Sequence, residues 1–120
     1  MEKQIIGIDL CDNYTQAAVL GREDAWMLPT VICRKKSAEE WYVGEDAYKY
    51  TLVGEGVIVD KLLSLAAKEG TSTIGGVKYG GMELLQRFLG SILAMVRAEY
   101  AGQRIDELVI SLKNLEMKLL

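Results

Sequence analysis

The longest unbroken helical pattern in the chain lies late, at residues 82–101 (MELLQRFLGSILAMVRAEYA), between two segments that read as strands. Leu85, Phe88, Leu89, Ile92, Val96 and Tyr100 recur at spacings of three and four. Leu84, Leu93 and Met95 widen that stripe, so the helix should be covered on much of its girth. Gly102 stands where a helix C-cap glycine belongs. Residues 106–112 (DELVISL) then read as a strand, and residues 3–10 (KQIIGIDL), rich in β-branched residues, as a first strand buried on both faces. A strand reached through a long helix most simply lies parallel to the first, by a right-handed crossover. The chain is therefore expected to be an α/β domain with a mixed sheet.

The segments between fill in that frame. Cys11-Asp12-Asn13 is turn chemistry, and residues 14–21 (YTQAAVLG) return as a second strand. Gly21 to Asp24 make a second polar turn. Residues 26–35 read as one third strand that starts near Pro29, a residue tolerated at strand starts and edges. Ser37 to Glu40 turn the chain, and Trp41-Tyr42-Val43 add a short strand, so the opening is a β-meander. Residues 45–52 (EDAYKYTL) form a short helix whose first-turn acids suit its dipole. Residues 57–69 are expected as one helix with Leu62, Leu63, Leu65 and Ala66 inward. Residues 70–81 hold five of the twelve glycines, and Gly75-Gly76 between β-like arms predicts a small hairpin. Glu83 and Arg87 form an i,i+4 pair, Gly90 and Ala94 leave the polar side of the long helix thin, and residues 114–120 read as the start of another helix.

Composition removes several function classes. The 120 residues suffice for one domain with a real core. Net charge is −3, and Arg34-Lys35-Lys36 is the longest basic run, expected at a solvated strand end, so a nucleic-acid partner is not expected. Histidine is absent, which excludes imidazole chemistry, triads that use histidine and histidine-ligated metals. Cys11 and Cys33 show no CxxC spacing and read as free thiols in a reducing compartment. No signal peptide is visible and no apolar run nears the roughly 20 residues that span a bilayer, so the expectation is a cytoplasmic protein with no membrane partner.

The order of elements and several words resemble the N-terminal lobe of the Hsp70/actin/sugar-kinase ATPase superfamily, whose core is ribonuclease-H-like. "IGIDL" stands where that superfamily has its first phosphate loop. "LPTVIC", "YVGEDAYKY", "VDKLLSL" and "RIDELVISL" follow in the family's order, and the resemblance spans nearly the whole chain. It is closest to Hsp70 chaperones, and closer still to a clostridial Hsp70-like family without an assigned function, which has a "DLxDxYSQ"-type start. The resemblance implies an actin-like ATPase subdomain that binds ATP and Mg²⁺. Its phosphate loop corresponds to Asp9, Leu10, Cys11, Asp12, Asn13, Tyr14 and Thr15. Asp9 would hold Mg²⁺ through water, and Lys61 matches the lysine that positions the attacking water.

The loop departs from its relatives. Where they have Gly-Thr-Thr, this chain has Cys11, Asp12 and Asn13, and Thr15 alone brings back a hydroxyl. A carboxylate about 4 Å from a phosphate costs about 1 kcal/mol in water and about 4 at an effective dielectric of 20. Left alone, that repulsion weakens binding by ten- to roughly thousand-fold. A cation shared by Asp9 and Asp12 would reverse its sign, since both are oxygen ligands of the kind Mg²⁺ prefers. Lys113 replaces the proline that Hsp70s carry after this strand and tie to interdomain signalling. Carboxylates for a ribonuclease-H nuclease (Glu45, Asp46, Asp60, Asp106) do not fall mid-strand.

The second phosphate loop and the adenosine segment of the superfamily have no counterpart in residues 1–120. The chain is accordingly expected to be a single N-terminal lobe of a longer Hsp70-like protein, inactive by itself because positioning supplies most phosphoryl-transfer catalysis. Its partners would be the rest of its own chain or another protein, and exposed apolar surface would favour self-association. The competing expectation is a scaffold that keeps the fold and has lost the ATP chemistry.

Overall fold

The first strand, β1 (Ile5–Leu10), alternates. Ile6, Ile8 and Leu10 are buried, while Ile5, Gly7 and Asp9 are only half-buried. The apolar run had predicted burial on both faces. The strand instead follows the period of two, because Gly7 and Asp9 place no apolar bulk on the outer face. The computed structural model describes residues 5–21, 25–99 and 106–112. In it β1 pairs antiparallel with β2 (Tyr14–Val19), which pairs antiparallel with β3 (Ala25–Pro29). On its other side β1 pairs in parallel with the last strand, β9 (Glu107–Leu112), giving the order β3-β2-β1-β9. This is the mixed sheet opened by a meander that the crossover rule predicts.

The single third strand expected at 26–35 is two strands in two sheets. β3 ends at Pro29, and β4 (Ile32–Lys35) belongs to a second sheet of order β5-β4-β6, with β5 at Trp41–Val43 and β6 at Gly56–Val59. The break at Thr30-Val31 lets both halves find partners. Thr30 turns its hydroxyl to Thr15, and Val31 donates its amide to the Pro29 carbonyl at 2.9 Å. The helix expected at 57–69 is likewise shortened. Val57, Ile58 and Val59 pair with β4, where β-branched side chains pack well. Only Leu62–Ala67 is helical, as α2, after a left-handed Lys61 (φ 50°, ψ 48°). The short helix α1 (Glu45–Leu52) and the hairpin β7–β8 (Thr71–Ile74, Val77–Gly80) occupy the expected segments.

The long helix α3 (Gly81–Glu99) buries Leu84, Leu85, Phe88, Ile92 and Val96. Together with Leu62, Leu63 and Ala66 of α2 they form one core against Ile6, Ile8, Leu10, Ala17 and Val19 on the inner face of the first sheet. Gly81 is required where it stands. A Cβ there would come within 2.7 Å of the Ala66 nitrogen and the Leu65 carbonyl carbon, closer than side chains pack. Arg34, expected at a solvated end, is only 9% exposed. Strand alternation puts it on the face of Ile32, where its guanidinium donates to the Lys35 carbonyl at 3.2 Å and lies 6.0 Å from the Tyr79 ring centroid. Arg87 keeps the expected pairing with Glu83 (3.4 Å), adds Glu39 (3.6 Å), and lies over Trp41 at 4.6 Å. Gly102, residues 22–24 of the second polar turn, Tyr100, Lys113 and the start of a helix expected at 114–120 lie outside the described residues.

Candidate functional site at the end of the parallel strands

Parallel β1 and β9 run in register and end together at Leu10 and Leu112. Ligands of open α/β sheets bind beyond such carboxyl ends, and here that end carries the β1–β2 turn. The Cys11 amide donates to the Tyr14 carbonyl at 3.2 Å, which closes the turn, and Asn13 is exposed at its tip. Tyr14 is 57% exposed, whereas Leu10 is buried in the core.

Two hydroxyl and carboxylate groups of the turn are held inside the protein. Thr15 is fully buried, and its Oγ1 lies 2.7 Å from the Thr30 Oγ1. Asp12 reaches across to α2. Its Oδ1 accepts the Ser64 amide at 3.1 Å, and its Oδ2 accepts the Ser64 hydroxyl. The physical reason lies in the helix. The first amides of any helix lack internal acceptors, and the N-cap of α2, Lys61, supplies no side-chain bond. Asp12 satisfies the third helical amide from a different element. The contact also brings the exposed Lys61, three residues before Ser64, to the same end of the sheet as the turn.

Asp9 takes a different position. It lies on the outer face of β1 and lines a trough of about 300 Å³ with Gly7, Gln16 and Ala18 and with Val109 and Ser111 of β9. A Cβ at Gly7 would meet nothing within 4 Å, so the trough is open at its floor. The structure therefore leaves Asp9 on the outer face of the sheet, and directs Asp12 to Ser64 of α2 and Thr15 to Thr30. Mg²⁺ is typically bound by one or two carboxylates plus substrate phosphates, so a single strand-end carboxylate such as Asp9 fits that chemistry. Asp12 fits it only by giving up Ser64. Among the described residues no three acidic, cysteine or histidine side chains gather to hold a metal by themselves.

Sequence reading missed Ser64 and Thr30. Ser64 fell inside the helix expected at 57–69, and it becomes a first-turn donor only because α2 starts at Leu62. Gln16 and Ser111 enter the trough through strand register, which pairs both with Asp9. The shifted titrations lie away from this end. The hydrogen bond of Lys35 to Glu40 (2.9 Å) raises the lysine and lowers the glutamate. Tyr42 is pushed up by the stacked Tyr50 and by its hydrogen bond to Glu40 at 3.1 Å, and Cys33 by burial. Among the described residues no helix is long and apolar enough to cross a membrane.

A protein-family model described as "Family of unknown function (DUF5716) C-terminal" matches residues 13–120. No curated protein matches the chain. Solved structures do. MamK, a non-polymerising A278D mutant bound to AMPPNP, superposes with a TM-score of 0.63 at 18% identity, covering 92% of this chain and 32% of that one. MreB5 of Spiroplasma citri bound to ADP superposes with a TM-score of 0.54 at 15% identity, covering 91% and 38%. The chain therefore shares the mixed α/β, actin-like ATPase fold of these structures and spans about a third of their length.

Proposed function

The chain belongs to the DUF5716 family of unknown function, and on that premise we propose that it is a nucleotide-binding lobe of a larger, cytoplasmic, Hsp70-like ATPase-fold protein. One observation carries this reading. Asp9 lines an open trough on the outer face of the first sheet, one residue before the carboxyl end of β1 and the turn that follows it. That is where an open α/β sheet offers backbone amides and charged groups to a ligand. Asp9 would hold Mg²⁺, which when bound supplies charge neutralisation to phosphate oxygens. Residues 11–14 would face the phosphates, and Lys61 would point its charge toward them. The lobe alone hydrolyses nothing at a useful rate, because a single lobe positions only one side of the phosphoryl group. Its partner is the remainder of its own chain, which would cover the outer sheet face. A lobe without that cover is expected to self-associate.

A second reading has its own support. Asp12 and Thr15 are already engaged by Ser64 and Thr30, as suits a scaffold whose phosphate turn has become an internal joint. Titration of the intact protein with Mg²⁺-ATP, for wild type and Asp9→Ala, separates the two. The nucleotide-binding reading expects saturable binding that Asp9→Ala weakens at least tenfold while the circular dichroism spectrum is kept. Absence of binding by wild type, or equal binding by both, selects the scaffold.

A further inference from the structure

We propose that Asp12 is a positioning residue that ties the β1–β2 turn to α2 and thereby sets the place of Lys61. The tie itself is independent of any ligand, and its consequence for Lys61 rests on the nucleotide-binding reading above. Three observations converge. Asp12 uses both carboxylate oxygens on one residue, Ser64, through its amide and its hydroxyl. The N-cap position of α2 is Lys61, in the left-handed region at φ 50° with no side-chain cap bond. A non-glycine residue holds such a backbone only where its surroundings impose it. And α2 is six residues long, too short to be stable by itself, so its placement depends on its contacts.

Those contacts are unequal around the helix. Leu62, Leu63 and Ala66 are buried in the core, and Ala66 abuts Gly81 at the start of α3. These apolar contacts fix which face of α2 points inward, but they are not directional about its first turn. The two bonds from Asp12 are directional, and they originate in the turn that follows Asp9. A shift of the turn thus moves the start of α2 and the lysine with it. The aspartate in place of the usual small or hydroxyl residue becomes intelligible: it is the link between the two candidate phosphate-facing elements.

The test combines hydrogen exchange with a double-mutant cycle on the intact protein. Loss of a helix cap corresponds to roughly 2- to 30-fold faster exchange of amides in the first turn. Asp12→Ala and Ser64→Ala should each show that acceleration at residues 62–67, with the amides of β1 and α3 unchanged, and Ser64→Thr, which keeps both donors, should restore protection. Mg²⁺-ATP affinity is then measured for Asp12→Ala, Lys61→Ala and the double variant. A positioning role predicts that Asp12→Ala weakens binding much less once Lys61 is absent, whereas a purely structural role predicts additive losses. Unchanged exchange at 62–67 in Asp12→Ala overturns the tie, whatever the nucleotide data. Faster exchange with additive losses overturns the role in placing Lys61. Faster exchange in a protein that binds no Mg²⁺-ATP upholds the tie and refutes the nucleotide reading instead.

Discussion

The two faces of the first sheet are built from the same strands and have opposite fates. The inner face presents Ile6, Ile8, Leu10, Thr15, Ala17 and Val19, all buried under α2 and α3. The outer face presents Gly7, Asp9, Gln16, Ala18, Val109 and Ser111 around an open trough, with Tyr14, Leu20 and Met27 at 57%, 70% and 67% exposure. Adjacent residues of one strand therefore answer to different pressures. One set is selected by packing, and the other stays available to a ligand or to a covering element. The contrast places the packed core on the inner face and the open trough on the outer one.

That contrast can be broken by substitution. The largest effect belongs to Phe88→Ala, at a fully buried site of α3 under the sheet. Urea unfolding should show a loss of about 3–5 kcal/mol; a loss under about 1 kcal/mol would mean that α3 does not cover the sheet. Thr15→Val comes next. It leaves the buried Thr30 hydroxyl without its 2.7 Å partner, and the same assay should report about 1–3 kcal/mol. Gly81→Ala, forced against the Ala66 nitrogen and the Leu65 carbonyl carbon, should also cost about 1–3 kcal/mol.

On the outer face the sign reverses. Gly7 has ordinary strand backbone and no atom within 4 Å of an added Cβ. Gly7→Ala should leave stability unchanged or raise it by up to about 1 kcal/mol, through a less flexible unfolded chain. A destabilised Gly7→Ala would show that something already sits on that face. The smallest effect is a pH dependence in the second sheet. The Lys35 hydrogen bond lowers Glu40 below its ordinary 4.5. Its contribution is thus fully present above pH 4.5 and fades as pH falls through the lower folded value. Thermal melts of wild type and Glu40→Gln should differ slightly above pH 4.5 and converge in acid. Lys35, raised, works in the opposite sense and loses its contribution only as pH climbs past its ordinary 10.5.

Much of the fold is legible in the chain because it is written in local periodicity. The stripe from Leu84 to Val96 needs no partner to be recognised as a helix, and Gly75-Gly76 turns a hairpin wherever it is placed. The same local reading failed at 57–69. There Val57, Ile58 and Val59 suit a strand as well as a helix, and pairing with β4 decided between them. It failed again at Arg34, where three basic residues in a row look solvated until strand alternation turns one of them toward Tyr79.

At the site, the polar turn after β1 was legible because turn chemistry is a property of a short segment, whereas Asp9 and Lys61 were singled out by the family resemblance. Neither revealed where the side chains go. Asp12 and Ser64 are 52 positions apart, and Thr15 and Thr30 are 15 apart. Such bonds depend on which elements pack side by side, so only the tertiary structure could direct Asp12 to α2, fold Thr15 into the core and leave Asp9 beside an open trough. The sequence by itself determined the α/β class, the long helix and the acidic end of β1, because hydrophobic period and turn chemistry act over a few residues. Which acidic group faces outward and which closes an internal joint was decided by packing over the whole chain.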